Sequence, residues 1–426
     1  MMKINKVVIT ACLLLVVQLT LFAQNNTNSP YSRYGYGELA DRSFGAGRAM
    51  GGVGVGLRSS KQINPMNPAS YSAMDSLTFL FDFGASAQLA KYDDGVNKQN
   101  YTNGNVEYIA MQFPVSDRLA VSLGVLPYSF VGYDYKVESL DGDAPFLNRY
   151  TGKGGFNNIY AGFGYNLWKD RLSLGANVGY FFGNLEHNSN VYLVSSTADM
   201  VKSEKLHVRD VKLDLGLQYT HSIGKQERFV LGLTYSPSKD LNMSTYKNTI
   251  QYVGNTSNVV ESDTSYNSAF GLPNSYGVGF SYIKDNRLTV AADLLYEDWA
   301  SSKFYDKKGS FKDRFRVGGG AEYTPGFMNR SFFKRINYRA GVHYGNSYNQ
   351  ITTSASDVNL NNAGYKEFGA SVGLGLPLVD GRSHLNIAFE YTKITPSVST
   401  MIDEQYYRFT ISYTFNERWF SKFKLD

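Results

Sequence analysis

The chain has 426 residues, a formal net charge of +5 and a single cysteine. Tyrosine (33) and phenylalanine (27) are abundant, only 19% of residues are charged, and the 41 glycines are spread along the whole sequence. This composition favours β-strands with aromatic girdles. The small net charge, without a basic block, argues against nucleic acid as a partner.

Residues 1–23 have the pattern of a secretory signal peptide. Lys3 and Lys6 precede an apolar run, and the small residue Ala23 stands before Gln24 at a cleavage position. Cys12 lies inside the apolar run, so the mature chain is predicted to lack cysteine and with it disulfides and thiolate metal sites. No later stretch has the roughly 18 consecutive apolar residues of a membrane-spanning helix.

Residues 24–75 are polar and rich in glycine, with two unusual motifs: RAMGGVGVG at 48–56 and NPMNPAS at 64–70. Glycine loses more backbone freedom on ordering than any other residue. We therefore expect this stretch to become ordered only where surrounding structure packs against it. We predict a plug, or hatch, inside the structure that follows; a disordered tail is the alternative. The residues predicted to form the gate are Arg48, Gly51, Gly52, Gly54, Asn64, Pro65, Asn67, Pro68 and Ala69.

Residues 76–416 alternate between apolar and polar side chains, as in the final run Tyr407, Phe409 and Ile411. Six short turns and seven long polar loops alternate, which gives 6 + 7 + 1 = 14 strands. An even number with one short-turned rim predicts an all-β, 14-stranded antiparallel transmembrane β-barrel, followed by a short periplasmic tail at 417–426. A soluble β-sandwich is the alternative. Its apolar faces would point into a core, whereas about fourteen segments with one apolar and one polar face would leave a very wide interior filled with polar groups.

Two features determine the strand count. The polar stretches at about 91–104, 138–153, 189–206, 253–272, 300–311 and 346–364 are assigned to long loops, with a shorter one near 395–404. Residues 228–253 are taken as one strand with a bulge near Pro237, because proline cannot donate to a ladder. Two separate strands are the alternative there.

Charged side chains on the polar face of the strands should point into the lumen. Mixed charges in a closed lumen most often brace a plug against the wall, and a polar substrate path is the alternative. The predicted bracing residues are Asp82, Asp214, Asp293, Arg314, Arg316, Glu322, Arg339, Glu367, Glu390 and Arg408.

Three segments resemble the FadL/TodX outer-membrane transporters of long-chain fatty acids and other hydrophobic compounds. They are residues 49–55 leading to 67–69, the run LPYSFVG at 126–132, and residues 288–299 followed by 316–323. The resemblance implies a fourteen-stranded barrel with an N-terminal hatch. It also implies that a hydrophobic substrate leaves sideways through a gap at a kink in the third strand.

The kink is assigned to Gly124, Pro127 and Tyr128, because proline within a strand removes a ladder hydrogen bond. A bulge that only shapes the barrel is the alternative. Both faces of the preceding strand read as apolar, so we predict a hydrophobic path along one of them. Its residues are Ile109, Met111, Phe113 and Leu126.

No catalytic or metal-binding motif stands out, so we predict a protein that is not an enzyme and needs no cofactor or metal. We expect an outer-membrane location, contact with outer-membrane lipid, and uptake of a fatty-acid-like or detergent-like ligand. Residues 58–61, Arg-Ser-Ser-Lys, depart from the acidic stretch usual after the hatch motif of the resembled family. The alternative is therefore a closed barrel, as in Bacteroidota, that docks other outer-membrane proteins in a secretion or assembly complex.

Overall fold

The computed structural model describes residues 26–139, 146–168, 171–193, 198–224, 226–254, 256–326, 329–355 and 358–418. The predicted signal peptide at 1–23 and most of the predicted tail at 417–426 lie outside these ranges. Within them, no helix is both long enough and apolar enough to cross a membrane.

The described residues are dominated by β-strands that follow one another around a closed wall. Only short helical turns interrupt them, at Pro30–Arg33, Gly45–Arg48, Pro68–Ala73, Trp299–Ser301 and Phe332–Arg335. The strands are β1 (Glu38–Leu39), β2 (Thr78–Asp93), β3 (Lys98–Pro114), β4 (Leu119–Ser139), β5 (Phe146–Trp168), β6 (Leu172–Leu193), β7 (Ala198–Ile223), β8 (Glu227–Ser236), β9 (Lys239–Val253), β10 (Thr256–Leu272), β11 (Ser275–Lys284), β12 (Leu288–Glu297), β13 (Arg314–Tyr323), β14 (Asn337–Asn346), β15 (Ile351–Ala355), β16 (Val358–Ala363), β17 (Tyr365–Pro377), β18 (His384–Pro396) and β19 (Asp403–Arg418).

The wall is an antiparallel barrel closed by the pairing of its last strand, β19, with its first, β2. Two passes are interrupted at prolines: β8 and β9 flank Pro237, and β10 and β11 flank Pro273. Both β8 and β9 pair with β7, so they form one pass, as predicted. Counted in this way the barrel has fourteen passes, which confirms the predicted fold class. Its strands run from Thr78 to Arg418, so both the first and the last residue lie two positions later in the sequence than predicted.

The wall is much taller on one side than on the other. Strands β12, β13 and β14 have 10 residues each, whereas β4, β5, β6 and β7 have 21, 23, 22 and 26. At about 3.4 Å per residue, the short strands span roughly 34 Å and the long ones up to roughly 88 Å, against an apolar band of about 25 Å. The prediction of long loops at 138–153, 189–206 and 253–272 is therefore wrong in large part, because most of these residues extend the strands beyond the membrane.

The outer face of the wall is apolar at the level of the short strands. Val278, Leu294 and Val317 are all exposed there, on three adjacent strands. An apolar exterior around a closed antiparallel wall is typical of an outer-membrane barrel. The end with tight connections is called the short-turn end below, and the opposite end, where the long connections lie, is called the mouth.

Residues 26–77, called the N-terminal segment below, have little regular structure but are largely buried. Tyr36, Val55 and Ala69 are fully buried although they belong to no wall strand. Their neighbours are side chains and backbone on the buried face of the wall, opposite to the exposed apolar face. The segment therefore lies against the inner face of the barrel.

Candidate functional site in the barrel interior

The glycine-rich motif of the N-terminal segment lies against glycines of the wall. A Cβ atom added to Gly341 would lie 2.2 Å from the Gly51 nitrogen, and one added to Gly320 would lie 2.5 Å from the Met50 carbonyl oxygen. Real Cβ atoms do not approach backbone so closely, so only glycine fits at these wall positions. The same close approach recurs at Gly175 against Pro68, Gly216 against Asn67, Gly232 against Val55 and Gly279 against Gly56.

Two glycines of the motif turn the chain towards the wall. Gly51 and Gly52 have φ angles of 76° and 79°, which side chains rarely adopt. The Gly51 amide donates to the Ser371 hydroxyl at 3.0 Å. A Cβ on Gly52 would lie 2.8 Å from the Arg316 guanidinium. The predicted gate residues Gly51 and Gly52 thus sit in direct contact with β13 and β17.

Asp293 of β12 binds the backbone just after this turn. Its carboxylate accepts hydrogen bonds from the amides of Gly54 at 2.5 Å, Val55 at 2.7 Å and Gly56 at 3.3 Å. Three converging amides satisfy a buried carboxylate without a cation. Asp293, predicted to brace the plug, therefore holds the glycine motif through its main chain.

Arg48 carries the most buried charge of the N-terminal segment, with 1% of its surface exposed. Its guanidinium forms ion pairs with Glu107 of β3 and, at 3.5 Å, with Glu390 of β18. Burial disfavours the charged form, but the carboxylates, including Asp41, outweigh it and raise the pKa of Arg48. The predicted residues Arg48 and Glu390 are thus brought together from opposite ends of the sequence.

Glu107 was missed by the sequence analysis because of a β-bulge. In the pairing of β2 with β3, Gly84 faces Tyr108 and Ala85 faces Val106, so Glu107 is the extra residue on its strand. A bulge reverses which residues face inward further along the strand. Both Glu107 and Tyr108 are buried as a result.

The bulge also overturns part of the predicted hydrophobic path. Beyond it, Tyr108 and Ala110 face inward, whereas Ile109 is 40% exposed on the same outer face as Val125. Met111 and Phe113 follow Ile109 on this outer face, so the prediction that these three residues line a lumen path is wrong. Only Leu126, of the four predicted path residues, lines the interior cavity.

A second buried charge cluster lies on the mouth side of the glycine motif. Arg316 binds Asp41 at 2.9 Å and approaches Glu367 at 3.8 Å, and Arg314 approaches Glu367 at 3.7 Å. Burial opposes ionisation of Asp41, but the Arg316 and Arg48 charges outweigh it and hold its pKa well below the ordinary value. Asp41 was not among the predicted residues, because residues 24–75 show no periodicity that would indicate which of their side chains face the wall.

The remaining predicted bracing charges contact the wall itself. Arg339 binds Glu322 at 2.6 Å, Arg408 donates to Gln88 at 2.9 Å and 2.6 Å, and Asp82 accepts from Tyr108 at 3.1 Å. Asp214 pairs with its strand neighbour Lys212. These groups tie neighbouring strands together and do not reach the N-terminal segment through the hydrogen bonds described here.

The NPMNPAS motif fixes the segment near the short-turn end of the tall wall. The Asn67 side chain donates to Val55 O at 2.9 Å and accepts from the Ala69 amide at 3.2 Å, capping the turn that begins at Pro68. The neighbouring Asn64 donates to Gly54 O at 2.6 Å, and Asn177 of β6 donates to Pro65 O at 3.2 Å. The motif therefore connects the glycine-rich turn to the wall.

An aromatic cluster packs around Tyr36 at the mouth. Nothing in the local sequence pattern indicated it. Tyr36 is surrounded by Phe156 of β5 and by Trp299, Phe304 and Phe311 from the connection between β12 and β13, with ring centroids 5.7–5.9 Å apart. Its hydroxyl donates to Gly271 O at 3.0 Å. Residues that are far apart in sequence thus pack around Tyr36 of the N-terminal segment on its mouth side.

The wall has a seam between β3 and β4. Their ladder runs only from Ile109 opposite Val125 to Pro114 opposite Ala120. Above it β4 continues to Ser139 paired with β5, and β1 of the N-terminal segment pairs with its other edge at Ser129 and Phe130.

The predicted kink residues lie at the end of this shortened ladder. Gly124 is within it, opposite Ala110, Pro127 stands just beyond it, and Tyr128 is an extra residue in the pairing of β4 with β5. Behind them is a cavity of about 160 Å³ lined by Leu126 and Tyr128 together with charged groups. Among the latter are Glu38, Asp41, Arg42 and Arg408. The cavity is therefore small and partly charged.

Comparison with solved structures identifies the class of barrel. The toluene transporter TbuX of Ralstonia pickettii has a TM-score of 0.59 at 16% identity, covering 89% of this chain and 99% of that one. A FadL homologue of Pseudomonas aeruginosa gives 0.60 at 12%, with the same coverage. The toluene transporter TodX of P. putida gives 0.55 at 15%, covering 90% and 100%. The chain thus has the fold of the FadL/TodX barrels, which confirms the predicted resemblance.

The particular family is a different one. A sequence model described as BamG matches residues 1–426, the whole chain, and the protein therefore belongs to the BamG family. No curated protein matches it in sequence.

Proposed function

We propose that the N-terminal segment is a permanent plug and that the protein is a closed barrel serving as a structural or accessory subunit of a multiprotein outer-membrane complex for protein secretion or assembly. The observation that carries this proposal is the fit of the glycine motif to the wall. Backbone lies against backbone at Gly341 and Gly320, a contact that a moving gate would have to break and re-form.

The buried charges favour the same conclusion. Withdrawing Arg48 would leave Glu107 and Glu390 buried without their cation, and breaking a buried ion pair in this way costs several kcal/mol. Withdrawing the segment would also remove three amides from Asp293. A plug that must release all of these contacts at once is suited to closing a barrel, and much less to opening it for each substrate molecule.

The tall wall offers a surface for partners. Strands β4 to β7 continue well beyond the apolar band, so the outer faces of their upper parts lie outside the lipid and are available to other proteins. A closed barrel with such an extension can hold neighbouring proteins at the membrane surface. Membership of the BamG family, rather than of a transporter family, is consistent with this role.

Locking the plug to the wall tests the proposal. A Cβ on Gly373 would lie 2.5 Å from Ala49 Cβ, so A49C with G373C needs an adjustment of only about 1 Å to form a disulfide. We expect the oxidised double variant, purified from its outer membrane in mild detergent, to retain the same stoichiometric partner proteins as the single-cysteine controls. Loss of these partners only on oxidation, or absence of any partner from the unmodified protein, would contradict the proposal.

Uptake of hydrophobic small molecules through a lateral exit is the second candidate. The early end of the β3–β4 ladder at Val125 and the cavity behind it favour this function. The same variant separates the two candidates in liposomes loaded with a fatty-acid-binding dye. A transporter would take up a fluorescent fatty acid when reduced and lose uptake when oxidised, whereas a closed subunit would give the rate of empty liposomes in both states.

A further inference from the structure

The outer face of β17, β18, β19 and β2 carries three lysines close to the mouth end of its apolar band. Lys366 lies on β17, Lys393 on β18 and Lys91 on β2. Within the described part of the chain, none of their ammonium groups lies within 4.0 Å of a carboxylate. These three residues are called the lysine arc below.

The register places Lys393 and Lys91 at one height and Lys366 two residues closer to the mouth. Lys393 faces Gln405, which in turn faces Lys91, so these two lysines are separated by two strand spacings, about 10 Å. Phe368 is opposite Lys393, which makes Lys366 its diagonal neighbour at about 7–8 Å. Successive lysines of the arc are therefore about 7–10 Å apart, and its two ends, Lys366 and Lys91, are three strand spacings apart, about 14 Å or more.

The residues below the lysine arc define its depth. Two positions further towards the membrane, Tyr391 and Tyr407 pack with ring centroids 5.2 Å apart, and Lys91 lies 5.0 Å from the Tyr407 ring. The exposed Phe389 and Phe409 follow. Tyrosines above an apolar surface mark the membrane interface of a barrel, so the lysines lie at the level of the headgroups.

The opposite part of the wall has the reverse charge at the equivalent position. Two residues beyond the outward-facing Tyr296, the wall carries Asp298 and Asp313, and Asp313 accepts a hydrogen bond from the Tyr296 hydroxyl at 2.8 Å. A row of basic residues is therefore not a general feature of this rim. Next to β12 and β13, the rim carries acidic residues where β17, β18 and β2 carry basic ones.

We propose that the lysine arc is a binding site for a phosphorylated lipid headgroup in the leaflet on the mouth side of the membrane. Unpaired ammonium groups above tyrosines, spaced by 7–10 Å, fit a headgroup that carries two phosphates, while the adjacent Phe389 and Phe409 contact its acyl chains. The site does not depend on whether the barrel is closed or transports a ligand. Lipid bound at the lysine arc would occupy the side of the wall formed by β17, β18, β19 and β2. The acidic side near Asp298 and Asp313 would remain free for protein.

Binding to a diphosphorylated glucosamine-disaccharide lipid tests the proposal. The full-length protein in nanodiscs of zwitterionic lipid would be titrated with this lipid and analysed by native mass spectrometry. We expect the variant K91Q/K366Q/K393Q to bind about tenfold or more weakly, since each lysine near an anionic surface contributes to the attraction. The triple arginine variant should keep the affinity, and so should the control K136Q/K202Q/K308Q, whose lysines lie away from the membrane.

Two further measurements separate the alternatives. The same lipid without its phosphates should bind the unmodified protein as weakly as phosphorylated lipid binds the triple glutamine variant, and inorganic phosphate should not compete. Equal affinity of the triple glutamine variant and the control would overturn the proposal. So would a triple variant that keeps its lipid but loses a co-purified protein, because the lysine arc would then be a protein-docking surface.

Discussion

The N-terminal segment contacts the barrel wall by different physical means at two levels. At the level of the short strands, the glycine motif packs against wall glycines, and Arg48 and Asp41 form buried ion pairs. At the mouth, Tyr36 is enclosed by aromatic rings from the wall and from the connection between β12 and β13. The lower contact depends on polar groups that must be matched one to one, whereas the upper contact depends on apolar area and tolerates exchange of similar rings.

The largest effect is expected at the lower level. The substitution R48M removes the ion-pair partner of the buried Glu107 and Glu390, so the free energy of unfolding should fall by about 3–5 kcal/mol. Urea unfolding of the barrel in lipid vesicles, followed by tryptophan fluorescence, measures the change. The variant R48M/E107Q/E390Q should recover part of the loss, because neither buried carboxylate is then left without its ion-pair partner. A loss below about 1 kcal/mol for R48M alone would show that these ion pairs do not stabilise the lower contact.

At the mouth, Y36A removes the ring at the centre of the aromatic cluster. The free energy of unfolding should fall by about 3 kcal/mol, as for other large aromatic side chains in a core. The matched variant Y36F keeps the ring and loses only the two hydrogen bonds of the hydroxyl, to Gly271 O and from the Gly271 amide, which should cost about 1 kcal/mol. Equal losses for the two variants in the same urea titration would mean that the hydroxyl, and not ring packing, stabilises the upper contact.

A wall glycine tests the close packing itself. In G341V the new side chain meets the backbone of Gly51, so overpacking should destabilise the folded state by roughly 2 kcal/mol and expose residues 48–56 to hydrogen exchange. Gly319, one strand away, has its nearest neighbour at 3.7 Å from an added Cβ, so G319A is the control and should change stability by less than about 0.5 kcal/mol. Unchanged exchange at 48–56 in G341V would contradict the fit described for this motif.

The smallest effect is expected from pH. The folded-state pKa of Asp41 lies below its unfolded value, so its ion pair with Arg316 contributes stability above about pH 4 that is lost as pH falls through the folded pKa. Comparing the variant D41N with the unmodified protein should show the stability difference shrinking as the pH is lowered from 6 towards about 2. A difference that stays constant over this range would mean that Asp41 is not ionised in the folded protein.

The sequence predicted the lower contact, at the glycine motif, far better than the upper contact around Tyr36. The glycine motif and charges such as Asp293 and Arg316 stand out because they break the alternation of a barrel or occupy its polar face. Tyr36, Trp299 and Phe311 are ordinary aromatics in an aromatic-rich chain, and Tyr36 is more than 260 residues away in sequence from the other two. No local pattern can indicate such a cluster.

Two further errors have local causes. Both faces of β3 are apolar near Ile109, so the sequence did not show which face is inward, and the extra residue at Glu107 places Ile109 outside. Polar strand extensions were assigned to loops because beyond the membrane both faces of a strand can be polar, which removes the alternation signal.

The closing ladder also sets an order of events during biogenesis. The strand that follows the N-terminal segment, β2, pairs with β19, the last described strand in sequence order, so the wall can close only after β19 has been made. A plug of the kind proposed above must lie inside before β19 pairs with β2, so a factor that folds this barrel would act on a chain whose N-terminal segment is already in place.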